Sequence, residues 1–226
     1  MPSPSPTAPK TAATGLLVAL RLATAATHQA VELLPGMVRL TGPDPSPADY
    51  RRYLRLMARV YGTLEPSLYA ALSAPRAPGA GAADQRSPRL AAERISALGL
   101  RPKFPALCAD LAVHGLAPPA VAPDLLSPPD LNTTLGGIYV LEGSTLGGRV
   151  VARRLRKHLG DPLPGATFLD FHGDQAAAHW KRLGLVLDGL AADGLIDPDG
   201  VIAGACAVFQ EVYTMLATFD EDPPAP

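Results

Sequence analysis

The chain has 226 residues and a mass of 23.5 kDa, enough for one full hydrophobic core without disulfide or metal staples. Hydrophobic residues make up 47% and charged residues 18%, the reverse of a disordered chain. Lys and Arg number 20 against 21 Asp and Glu, a balance that argues against a general nucleic-acid binder, and two cysteines, Cys108 and Cys206, cannot build a disulfide framework and fit a reducing cytoplasm.

Residues 1–9 alternate proline with small residues, and the apolar stretch at 15–20 is short and ends at Arg21. That is not the pattern of a signal peptide. No run of 18 apolar residues lacks a charge. The most apolar candidate, 131–152, carries Glu142 and Arg149, so no membrane span is expected. Residues 1–10 and 220–226 read as mobile tails, and 11–219 as one helical domain.

Proline sets the element boundaries, because inside a helix it removes a hydrogen bond and clashes with the preceding turn. The 25 prolines leave five free windows, at 10–34, 48–65, 130–161, 165–197 and 199–222. Within them apolar residues recur at three and four: Leu17, Leu20, Thr24, Thr27, Val31 and Leu34, then Tyr50, Leu54, Met57, Tyr61, Leu64 and Leu68. Later come Trp180, Leu183, Leu187 and Leu190, and Val208, Val212, Met215 and Phe219. This is helical periodicity, and the alternation of a strand is nearly absent. The spacing predicts an all-α fold of six to eight helices. Ser46 before Pro47 and Ser127 before Pro128 are candidate helix starts, and residues 73–87 form the loosest linker.

The first window carries His28 on the predicted inward face, with Glu32 one turn later and Arg21 two turns earlier. A carboxylate beside a histidine can orient the ring as a metal ligand, and a cation about 10–11 Å along the helix could meet the rim of a flat ligand. An ordinary core or half-exposed histidine with an incidental partner has the same pattern. The third window holds Gly136, Gly137, Gly143, Gly147 and Gly148 within thirteen residues. Each interior glycine costs roughly 0.8–1.0 kcal/mol relative to alanine. Either the backbone must approach something flat or kink, or the glycines serve close helix–helix packing. Ser144 and Thr145 add hydroxyls beside them.

Together the two segments resemble the bacterial heme oxygenases, most closely the biliverdin-producing type found beside bacterial phytochromes. The resemblance rests on Arg-x-Ala-Thr-x-x-x-His-x-x-x-Glu at 21–32 and on Gly-Gly-Ile-Tyr-Val-Leu-Glu-Gly-Ser-Thr-Leu-Gly-Gly-Arg at 136–149, with support from 48–64. It implies that His28 is the proximal iron ligand, Glu32 its partner, and Arg21 a propionate contact. Tyr139 would also contact heme, and Arg182 or Lys181 a second propionate. Gly143, Ser144, Gly147 and Gly148 would form a distal helix lying close over the heme. Ser144 stands where mammalian-type relatives carry an aspartate.

The resemblance further implies that heme is both substrate and cofactor, consumed with O2 and external electrons to give biliverdin, ferrous iron and CO. A neutral imidazole ligand leaves iron able to bind O2. An electron donor such as ferredoxin or a flavoprotein reductase would be needed, and a bacterial phytochrome could accept the bilin. A heme-binding or heme-trafficking protein without turnover, or a structural helical domain without heme, are the alternatives.

His114, His158, His172 and His179 read as structural or surface residues, since no carboxylate stands at metal-site spacing around the last two. Cys108 and Cys206 read as buried small hydrophobes. The cations Arg149, Arg153, Arg154, Arg156 and Lys157 form either a solvated face complementing a helix C-terminus or a docking patch for an acidic electron donor.

Overall fold

The computed structural model describes residues 15–73, 86–120 and 129–220. The two tails, most of the 73–87 linker and the Ser127 cap lie outside the described residues. The elements are α1 (Leu16–Glu32), α2 (Pro35–Thr41), α3 (Pro47–Ser73), α4 (Arg86–Ser96), α5 (Phe104–Val113), α6 (Leu131–Leu159), α7 (Ala176–Ala192) and α8 (Pro198–Asp220). Among the described residues there is no strand, and the all-α expectation holds.

Proline starts helices here as well as separating them. Pro35, Pro47 and Pro198 open α2, α3 and α8, where the missing N–H would have had no helical partner. The start of α3 is the expected one. The Asp49 amide donates to Ser46 Oγ at 3.1 Å, and the Ser46 amide donates back to the Asp49 carboxylate at 2.9 Å. This is a reciprocal capping box. The far end departs from the proline rule, because α3 runs through Pro66 to Ser73. Tertiary burial outweighs the lost hydrogen bond: Tyr61, Leu64 and Leu68 flank Pro66 and are all buried.

The window 165–197 departs the other way, since only its second half is helical. Residues 160–175 form turns and one short 3-10 segment, with Gly165 and Gly173 at positive φ. The buried Asp110 carboxylate fixes this connection by accepting the amides of Thr167 and Phe168 at 3.0 and 2.8 Å.

Helix α6 lies at the centre. It packs most extensively on α8 and also meets α3, α7 and α2, while α1 packs on α8 and α7. The apolar stripes read from the sequence contribute to one contiguous core, including Leu20, Tyr61, Leu64, Leu187 and Val208, which Leu135 of α6 joins. Among the described residues, α8, and not 131–152, is the helix long and apolar enough to cross a membrane. Its stripe of Val201, Ala205, Val208, Val212 and Leu216 is buried in the shared core.

Candidate functional site

The first turn of α1 has no cap from its own side chains. Instead Asp188 of α7 accepts the Leu17 amide at 3.1 Å, placing a negative charge at the positive end of the helix. From there Leu16, Leu20 and Thr24 run as a buried stripe. His28 is the next residue on that stripe, yet its side chain is 63% exposed. The inward placement read from the sequence therefore stops one turn short. Its ring meets the edge of Phe209 from α8, with centroids 5.9 Å apart. Glu32 Oε1 lies 3.6 Å from His28 Nδ1, which leaves Nε2 as the outward nitrogen. Arg21 stands over the Trp180 ring of α7 at 6.0 Å. Tyr139 of α6 reaches Thr24 across the gap, hydroxyl to hydroxyl at 3.4 Å, and its ring lies 5.3 Å from Trp180.

The glycines of α6 divide into two kinds. A Cβ on Gly136 would lie 2.3 Å from the Ala205 amide and 2.5 Å from the Val201 carbonyl, and one on Gly204 would meet Thr133 Cα at 2.5 Å. Here the backbones of α6 and α8 nearly touch, which is close helix packing. Gly137 likewise makes room for Leu68, and Gly148 for the Leu169 carbonyl. Gly143 and Gly147 differ. At Gly143 a Cβ would meet only the tip of the Trp180 ring, at 3.3 Å, and at Gly147 it would meet nothing within 4 Å. The sequence left ligand approach and helix packing open, and both occur on this one helix, at different turns.

Ser144 is exposed but anchored. Its hydroxyl lies 2.5 Å from the Tyr61 hydroxyl, and both hydroxyl oxygens lie 2.9 Å from the Leu141 carbonyl. One hydroxyl donates to the other, which donates to that carbonyl, and the Lys103 ammonium donates to it at 2.7 Å. Two side-chain donors thus meet on the carbonyl two residues before Gly143. Burial pushes the Tyr61 phenol well above its ordinary range, so it stays protonated and able to donate.

Behind the distal motif lies a cluster that the sequence did not reveal. Glu142, Lys103, His172 and His179 converge out of water, the first two 2% and 1% exposed. Lys103 Nζ meets Glu142 Oε1 at 3.3 Å and donates to Thr145 Oγ1 at 2.7 Å. With the Leu141 carbonyl, these acceptors use its three N–H bonds. His172 Nε2 lies 2.9 Å from Glu142 Oε2 in hydrogen-bond geometry. His179 Nε2 lies 3.2 Å from the same oxygen but off line, an electrostatic contact and not a bond.

Burial alone would raise the Glu142 carboxyl. The two imidazoles and the Lys103 charge outweigh it and hold the group well below the ordinary carboxylate range. Burial pushes the Lys103 ammonium down, and Glu142 opposes that shift. The buried Glu65 carboxylate completes the charge pattern by accepting the Lys103 and Phe104 amides at 2.7 and 2.8 Å.

The ligand atoms of Glu142, His172 and His179 lie within 4.8 Å of one another, which raises the question of a metal. The geometry argues for an ion-paired clamp instead. The two rings stack at 4.0 Å and 22°, so their planes lie side by side, and an ion in the plane of one ring's lone pair would fall out of the plane of the other's. The Lys103 ammonium already neutralises the one carboxylate. The reading of these two histidines as lacking a carboxylate is thus corrected: Glu142 lies 30 residues before His172, out of reach of any local spacing rule.

The remaining candidates are peripheral. Lys181 and Arg182 sit on the exposed face of α7. Cys108 and Cys206 are half-buried free thiols, less enclosed than expected. In the basic run, Arg149 pairs with Asp174 at 2.9 Å, Arg156 with Asp170, and Arg154 donates to the Gly42 carbonyl at 2.8 Å. Arg153 and Lys157 are exposed.

No family model matches the chain. A heme oxygenase of Xanthomonas campestris pv. campestris (strain 8004) is 37% identical over 119 residues, spanning 52% of this chain and 68% of that protein. The fold is also that of the NO- and CO-bound heme oxygenase of Neisseria meningitidis. The TM-score is 0.64 at 21% identity, over 95% of this chain and 98% of that one. The sequence relationship, carried on a matching all-helical fold, places this chain in the heme oxygenase family.

Proposed function

We propose that the chain holds heme between α1 and α6 and, as a heme oxygenase, converts it with O2 and electrons to biliverdin, ferrous iron and CO. Bound heme supplies both the iron that takes O2 and the ring that is oxidised. His28 presents Nε2 as the iron ligand, and Glu32 at Nδ1 orients the ring and makes it a stronger donor. Gly143 and Gly147 carry no side chain of their own, so the main chain of α6 could lie close to a porphyrin, with only the Trp180 ring tip beside Gly143. The Ser144 hydroxyl, held by Tyr61, faces the same side and can order water there. Arg21 and Tyr139 would meet a propionate from α1 and α6, whereas Arg182, on the exposed face of α7, would reach one only by extending around that helix. Gly148 contributes indirectly, by seating α6 on Leu169. The Glu142–Lys103–His172–His179 cluster holds the distal helix against the 160–175 connection and α7.

The observation that carries this reading is the contrast along one row of glycines. Gly136 is filled by α8 at 2.3 Å, whereas about three turns later Gly147 faces open space. A glycine in mid-helix costs stability, and no neighbouring side chain or backbone at Gly147 accounts for that cost. A flat ligand lying on the main chain does.

Arg153 and Lys157 extend the exposed basic end of α6, a surface suited to an acidic electron donor such as a ferredoxin or a flavoprotein reductase. The chemistry is cytoplasmic, and the bilin suits a bacterial phytochrome as acceptor. Hemin added to the protein should give the Soret band of histidine-ligated heme. Reduction in air should then replace it with a broad red-region bilin band. A Soret band that survives reduction would leave a heme-binding protein without turnover.

A further inference from the structure

Trp180 stands where three elements meet. Its ring tip covers Gly143, its face lies beside Tyr139, and the Arg21 guanidinium of α1 sits 6.0 Å above it. Its Nε1–H is buried and finds no acceptor among the described residues. Indole nitrogen can only donate, so an enclosed N–H without a partner costs the folded chain the desolvation of that group. At Gly147, one turn beyond, the same helix face is open. The indole therefore fills one end of the space that a flat ligand on Gly143 and Gly147 would take. What it lacks is an acceptor. An acceptor-only anion beside Arg21 would serve both groups at once.

We propose that Trp180 is a substrate-binding residue of this heme oxygenase. Its indole covers Gly143 in the free protein, turns aside when porphyrin enters, and donates Nε1–H to a propionate carboxylate that Arg21 also binds. The inference rests on the heme reading above. A neutral donor and a guanidinium on one carboxylate fix the porphyrin edge more narrowly than a single exposed arginine, because the indole has only two side-chain torsions to restrain.

The chain contains one tryptophan, so its indole N–H gives a single, unambiguous NMR signal. Hemin and hemin dimethyl ester are titrated into the unmodified protein and into W180F, which keeps an aromatic ring over Gly143 but removes the donor. W180F should bind hemin about tenfold more weakly, the worth of one hydrogen bond to a charged group, and bind the ester as tightly as the unmodified protein does. With gallium protoporphyrin IX as a diamagnetic probe, the indole N–H signal should move downfield, and further than with its dimethyl ester. Equal hemin affinity in W180F, or an equal loss for hemin and ester, overturns the proposal. So does an indole signal left unmoved by bound porphyrin. If the unmodified protein gives no Soret band with hemin, the heme reading itself fails.

Discussion

The two helices that carry the motifs are built on opposite plans. Helix α1 buries Leu16, Leu20 and Thr24, borrows its cap from Asp188, and ends with His28 and Glu32 largely in solvent. Helix α6 is gripped along its first half. Gly136 locks it to α8, Lys103 and Tyr61 hold the Leu141 carbonyl, and Glu142 is enclosed by a lysine and two histidines. The difference teaches which of the two helices is fixed. The helix that would cover a ligand is the rigid reference surface, and the helix that would bind the metal is held by fewer contacts.

Gly136→Leu should break this contrast most severely. The added side chain has no room, since the nearest atoms belong to the backbone of α8, and the protein should not fold. A soluble variant with the parent circular dichroism spectrum would show that α6 and α8 are not packed as described. Next in size is Glu142→Gln, which leaves the buried Lys103 charge unpaired. A loss of about 3–5 kcal/mol in urea unfolding is expected. The matching change on the open helix, Glu32→Gln, removes an exposed pair and should cost under about 0.5 kcal/mol. Equal losses for the two would erase the distinction between the helices.

Gly147→Ala sharpens the comparison within α6. With open space around the new methyl, folding stability should rise by about 0.8–1.0 kcal/mol through helix propensity alone, while hemin affinity falls. If stability falls instead, the face is filled by something other than a ligand.

Acid adds a gentler probe. Glu142, Asp49 and Asp130 are all held below the ordinary carboxylate range. Each binds its proton less readily folded than unfolded. Their stabilisation is therefore complete above about pH 5.5 and lost progressively as pH falls below it. The buried Glu65 carboxyl is pushed up and opposes this trend. Unfolding midpoints measured from pH 6 down to 3 should fall steeply in the parent and less steeply in E142Q.

The helices were legible because their apolar period is local. Tyr50, Leu54, Tyr61, Leu64 and Leu68 are all buried as the spacing required. Pro66 was misleading, because a proline rule knows the lost hydrogen bond but not the twelve buried neighbours along α3 that outweigh it. The motif residues were legible too, but their surroundings were not. Nothing near His172 or His179 in the sequence points to Glu142, since the turns at 160–175 that bring them together have no period. Likewise, no spacing distinguishes Gly136 from Gly147. They share a helix face, and only the position of α8 decides that one packs and the other lies open.

The central claim, that His28 grips heme iron opposite the bare stretch of α6, is tested most directly by one pair of absorbance spectra. Hemin is added to the parent and to His28→Ala, and both are reduced in air. The account predicts a histidine-ligated Soret band that gives way to a bilin band in the parent, and neither the histidine-ligated spectrum nor the conversion in the variant. An unchanged spectrum and turnover in His28→Ala would contradict it.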